Sequence, residues 1–139
     1  RFGDPETQPV LMRLKTDLIS HCLAAIDGRL DQEKVQWDER CCLGVVMAAQ
    51  GYPNRYTKGH VISGLNQTFP VDTKVFLAAA EATDQGVITS GGRVLCVCAL
   101  AETVSAARRT AYDVCSGIHW PGAFYRTDIG HRAIAREKS

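Results

Sequence analysis

The sequence predicts an α+β fold, on two observations. Short apolar runs separated by turn-forming residues fill positions 41–100, and a stretch with three- and four-residue apolar spacing lies on each side of them. Strand-like and helix-like periodicities therefore occupy different parts of the chain, with no internal repeat or low-complexity segment.

The first element follows from Leu11, Leu14, Leu18, Cys22 and Ala25, whose spacing predicts one amphipathic helix over Gln8–Ile26. Thr7 is placed to cap its start, Pro9 is tolerated in the first turn, and Asp27-Gly28 supplies a stop. From Gly28 to Arg40 only Leu30, Val35 and Trp37 interrupt a polar stretch, which reads as a linker with a boundary near Asp38. Two units are expected, residues 1–37 and residues 38–139.

Strands are expected at Cys41–Ala49, Val61-Ile62, Val75–Ala80, Gly86–Ile88 and Arg93–Leu100, with Gly51-Tyr52-Pro53-Asn54 as a turn. The Val94–Leu100 run is apolar on both faces and belongs at the centre of a covered sheet. A second helix beginning near Thr103 carries Val104, Ala107, Ala111, Val114 and Cys115 on one stripe. The tail holds Trp120, Phe124 and Tyr125, then Asp128–Ala135, read as ending in a short strand.

Composition narrows the function. The 139 residues are 45% apolar and 22% charged, the profile of a globular chain, and 16 Lys and Arg against 15 Asp and Glu leave a net charge of +1. That balance argues against nucleic acid and anionic membranes as partners. The apolar runs fall well short of the roughly 20 residues that span a bilayer, and no export signal opens the chain, so a soluble protein is expected. The start at Arg1, without a Met, reads as cut from something longer. Cys22, Cys41, Cys42, Cys96, Cys98 and Cys115 lie mostly in apolar runs and read as reduced thiols. Their spacing matches no zinc motif, and the four histidines are scattered.

Three segments could carry chemistry. Arg1-Phe2-Gly3-Asp4-Pro5-Glu6-Thr7 concentrates a cation and two carboxylates before a helix, a place where an anion or an amine could be held; a capped helix start with surface charges is the alternative. Thr89-Ser90-Gly91-Gly92-Arg93 reads as a loop bringing backbone close to an anion, with Arg93 as bidentate donor, or as a double-glycine hairpin turn. It is not a P-loop, since no Gly-Lys-Ser/Thr follows. Arg126, Asp128, His131, Arg132 and Arg136 cluster in the tail, suited to phosphate or simply solvated. No nucleophile and base form a recognisable pattern, which argues against an autonomous hydrolase. A biotinyl or lipoyl carrier would need a lysine at the hairpin tip, and Ser90-Gly91-Gly92 has none.

Taken together, Arg1-Phe2-Gly3-Asp4-Pro5-Glu6-Thr7-Gln8, Gly44-Val45-Val46 through Gly51-Tyr52-Pro53, Gly91-Gly92-Arg93-Val94-Leu95 and Tyr125-Arg126-x-Asp128-Ile129-Gly130-x-Arg132-Ala133-Ile134 resemble the phosphoribosylamine–glycine ligase family of ATP-grasp enzymes, across essentially the whole chain. The resemblance implies the end of an ATP-grasp domain followed by a small carboxy-terminal α+β domain with a largely antiparallel sheet. It implies a cytoplasmic enzyme of purine synthesis that joins glycine to 5-phosphoribosylamine through a glycyl phosphate, with ATP and Mg2+ or Mn2+. The family's metal ligands stand upstream of Arg1, so no metal site and no activity are expected of this piece alone. Arg1, Asp4 and Glu6 carry over as catalytic groups, and Gly92, Arg93, Arg126 and Arg132 as substrate-binding groups. The rival reading is a non-catalytic α+β binding module.

Overall fold

A computed structural model describes residues 2–137. Its centre is a four-stranded antiparallel sheet in the order β2-β5-β1-β6. The strands are β1 (Cys41–Ala49), β2 (Thr73–Leu77), β5 (Arg93–Ala101) and β6 (Ala123–Phe124). β3 (Ala80–Thr83) and β4 (Gly86–Thr89) form a separate two-stranded hairpin. β5 lies between β2 and β1, and Val94 to Ala99 are buried, the central position expected of a strand apolar on both faces.

The alternation of β1 and β5 builds two different layers. Leu43, Val45 and Met47 pair with Ala99, Val97 and Leu95, and this face packs with Ala107, Ala111, Val114 and Cys115 of helix α3 (Val104–Ser116) into the main core, closed by Ile118 and Trp120. Thr103 caps α3, its side chain accepting from the Ala106 N–H at 3.1 Å. The opposite face, with Gly44, Cys96 and Cys98, meets helix α1 (Thr7–Arg13) through Pro9.

Two expectations are corrected. The predicted helix over Gln8–Ile26 is two helices, α1 and α2 (Leu18–Ile26). The break is local: Leu14 turns extended, Lys15 donates to the Gln36 carbonyl, and the Asp17 side chain caps α2 by accepting from the Ile19 N–H at 3.0 Å. Cys22 and Ala25, placed on one apolar face with Leu11, Leu14 and Leu18, lie on α2 and are exposed; only Ala24 of α2 is buried. The tail ends in helix α4 (His131–Glu137), not a strand. Gly130, at φ 80°, lets the chain turn, and the Ile134 N–H donates back to its carbonyl.

Two smaller differences follow the same logic. Val61-Ile62 makes an isolated bridge to β4, not a full strand. The Gly91-Gly92 turn is not a hairpin connection, because it carries the chain from the β3–β4 hairpin into the main sheet.

Candidate functional site

The segment before α1, the Gly51-Tyr52-Pro53 turn, the Gly91-Gly92-Arg93 turn and the stretch after β6 meet on the α1 side of the sheet. They enclose a groove of about 240 Å³ with Gly44, Val46 and Ala48 of β1 as its floor. Pro5, Tyr52, Arg93, Phe124, Tyr125, Arg126 and Ile129 complete its wall.

Arg93 reaches this groove because of a β-bulge. Met47 pairs with Leu95, but Ala48 pairs with Arg93, so Val94 is the extra residue and the alternation of β5 reverses there. Without the bulge Arg93 would share the buried face of Leu95. With it, the guanidinium stands 3.1 Å from the Asp4 carboxylate and 5.9 Å from the centroid of the Tyr52 ring. Gly92 is buried beneath the same ring: a Cβ there would lie 2.1 Å from Tyr52 Cδ2. Tyr52 thus supports the cation from below and fills the space the glycine leaves. Sequence reasoning gave Tyr52 no role of its own, although its turn lay inside one of the matched segments.

Arg126 stands at the other end of the groove. It donates through Nε and Nη2 to the two oxygens of Asp128 at 2.8 and 2.6 Å, and its side chain is 68% exposed. This pairing raises the Arg126 pKa and holds the Asp128 carboxyl below its usual range. The Tyr112 hydroxyl donates to the Arg126 carbonyl at 2.6 Å and fixes the backbone. Arg132 lies on α4 and lines a different, shallow groove with Asp128, His131 and Arg136; Arg126 borders both. The structure therefore brings Arg93 and Arg126 to one groove, with Asp4 paired to Arg93, and leaves Arg132 beside it.

Glu6 faces elsewhere. A Cβ on Gly3 would fall 1.7 Å from Glu6 Oε1, so that carboxylate rests directly over the glycine. Glu6 also borders an apolar groove of about 390 Å³ between α1, α2 and the 30–37 segment. Arg1 lies outside the described residues.

A family model described as the phosphoribosylglycinamide synthetase C domain matches residues 42–132. The chain belongs to this family. Phosphoribosylamine–glycine ligases are similar to it along its full length: 57% identical over 139 residues in Allochromatium vinosum and 55% over 140 residues in Escherichia coli O6:H1. The crystal structure of the phosphoribosylamine–glycine ligase of Thermotoga maritima is similar over 92% of this chain and 31% of its own, with a TM-score of 0.69 and 32% identity. The chain spans about a third of the length of these relatives.

Within the synthetase family the resemblance brings ATP and a divalent metal into question. Among the described residues no three His, Cys, Asp or Glu side chains gather to hold a metal ion. Asp4 is engaged by Arg93, so the described residues do not fit a metal centre. No described helix is long and apolar enough to cross a membrane.

Proposed function

We propose that this chain is the carboxy-terminal portion of a cytoplasmic phosphoribosylamine–glycine ligase. That enzyme joins glycine to 5-phosphoribosylamine at the expense of ATP, giving glycinamide ribonucleotide, ADP and phosphate in purine synthesis. The observation that carries the reading is the convergence of Arg93, paired to Asp4, and Arg126 on one groove in a chain 57% identical to a protein of that name. In this reading the groove is a wall that the carboxy-terminal domain adds to an active site completed by the rest of the ligase. Arg93 and Arg126 give it cationic groups for a carboxylate or phosphate. ATP and its Mg2+ or Mn2+ bind to the remainder of the enzyme, and the isolated chain is inactive. Residues 1–37 belong structurally with that remainder, and 38–139 form the carboxy-terminal domain. The exposed apolar side chains of Val10, Ile19, Leu23, Leu30, Val35 and Trp37 support the division, since an apolar surface of this kind is suited to contact with another unit.

The test replaces the corresponding third of the Escherichia coli relative with this chain and measures ADP formed in the presence of glycine and phosphoribosylamine. The chimera is expected to turn over while the isolated 139-residue chain does not. A folded chimera that forms no glycinamide ribonucleotide, or turnover by the isolated chain, would overturn the reading.

A further inference from the structure

Three thiols converge on the sheet face beneath α1, outside the groove just described. Cys96 and Cys98 project from β5 with their sulfurs 3.7 Å apart, and both are buried. Cys42 projects from β1 onto the same face, two residues from Gly44, which pairs directly with Cys98. Cys42 stands opposite Leu100, so Cys98, two residues back along β5, is its diagonal neighbour on this face and the middle member of the cluster.

Gly44 makes this arrangement possible. A Cβ at that position would lie 3.2 Å from both the Cys96 and the Cys98 sulfur, so the space over the glycine is where the sulfurs lean.

Only one of the three is open from outside. Cys42 lies at the base of a groove of about 370 Å³ whose other walls are Pro9, Val10, Arg13 and Trp37. Arg13 is fixed in it by donating Nε and Nη2 to the Asp38 carbonyl at 3.0 and 2.9 Å. A thiolate at Cys42 thus shares its groove with the Arg13 guanidinium, a positive charge of the kind that makes a cysteine reactive. The neighbouring Cys98 thiol first and the Arg13 charge after it hold the Cys42 pKa below the ordinary thiol value, whereas that of Cys98 is raised chiefly by its Cys42 and Cys96 neighbours. Cys42, the partly exposed thiol that lines the groove, is therefore placed to meet an oxidant from outside, and the buried Cys98 to meet Cys42.

We propose that Cys42 is an oxidation site for hydroperoxides and that Cys98 resolves it as a disulfide between β1 and β5. In the first step the Cys42 thiolate attacks the terminal peroxide oxygen. The O–O bond breaks, the sulfur is oxidised to a sulfenic acid, and the reduced peroxide leaves as water or an alcohol after taking a proton. In the second the Cys98 sulfur attacks the Cys42 sulfur, the S–OH bond breaks, and the hydroxyl leaves as water with the Cys98 proton.

The test treats the reduced 139-residue protein with about one equivalent of hydrogen peroxide, a supply set by the one-to-one stoichiometry of the first step. The remaining thiols are alkylated and tryptic peptides mapped by mass spectrometry. Peptide 41–55 is expected joined to peptide 94–108, with fragment ions placing the link at Cys42 and Cys98. Cys98→Ala, which keeps an apolar side chain in the strand, is expected to abolish the link and leave Cys42 as a sulfenic acid trapped by dimedone. A link within peptide 94–108 would assign the chemistry to Cys96 and overturn the proposal. So would oxidation confined to the surface thiol Cys22, as a dimer of chains, while Cys42 stays reduced. The wild-type map decides the matter independently of whether the variant folds.

Discussion

Arg93 and Asp4 form an ion pair, Nη2 to Oδ2 at 3.1 Å, that ties the start of β5 to the segment before α1. Both side chains are about two-fifths exposed, 39% and 41%, so the pair stands largely in water and its strength is limited by solvent screening. A double-mutant cycle with Asp4→Asn and Arg93→Gln, read by urea denaturation, is expected to give a coupling of about 0.2–1 kcal/mol. Raising the salt concentration should shrink it. A coupling of zero at low salt would mean that the two segments are held together by packing alone.

The contact between Gly92 and the Tyr52 ring makes a stronger demand. A methyl group at position 92 would overlap Tyr52 Cδ2, and Gly92 is buried with its carbonyl already accepting from the Ala49 N–H at 2.8 Å. The backbone cannot move away without losing that bond. Gly92→Ala is expected to cost about 1–3 kcal/mol of stability, the range for overpacking a filled site. Adding Tyr52→Ala should recover part of that loss, because the obstructing ring is then gone. If the double variant were less stable than the sum of the two single losses, the clash would not be the cause.

Much of this fold is legible from spacing, and the exceptions have identifiable physical causes. The strands at 41–49 and 93–101 and the stripe Ala107, Ala111, Val114 and Cys115 are stated by alternation and by three-to-four spacing. Leu14 and Leu18 fit a continuous helical stripe equally well, so spacing alone could not show that the chain breaks between them. The break depends on Asp17 capping α2 and on Lys15 bonding Gln36, a partner distant in sequence. Arg93 and Asp4 could each be singled out as candidates, but their meeting depends on the bulge at Val94, which no alternation pattern announces. Tyr52 was missed for a related reason: its role comes from what it touches.

Glu137, at the end of α4, meets the start of α3, where the N–H groups of Val104 and Ser105 donate to its carboxylate. The Val104 bond foremost lowers the Glu137 pKa from its usual value of 4.5. A carboxylate with a lowered folded-state pKa stabilises the fold above its unfolded value and loses that contribution as pH falls through the folded one. The melting temperature of the wild type is therefore expected to exceed that of Glu137→Gln at pH 7. The difference should stay constant down to about 4.5, the unfolded value, and narrow at more acidic pH. A difference independent of pH over that acidic range would show that the amide fails for reasons other than charge.

Arg126 and Arg1 should fail differently in the complete ligase proposed above, and this separates the roles expected of them. Arg126 has two of its donors bound to Asp128 and the rest of its fork open beside the groove, a group that grips an anion without touching the reacting atoms. Such a contact binds ground state and transition state alike. Arg126→Ala is then expected to raise the KM for phosphoribosylamine by about ten- to a hundredfold, the loss of one charged contact, with kcat little changed. Arg1, expected from the sequence to meet the acyl phosphate, would act on charge that develops during phosphoryl transfer, so Arg1→Ala should lower kcat instead. Asp128→Asn supplies the internal control: it frees Arg126 from its carboxylate while keeping the charge, so the phosphoribosylamine KM should rise far less than in Arg126→Ala. Steady-state kinetics at saturating glycine and ATP measure all three. An unchanged phosphoribosylamine KM in Arg126→Ala, or an unchanged kcat in Arg1→Ala, would remove the role assigned to that residue.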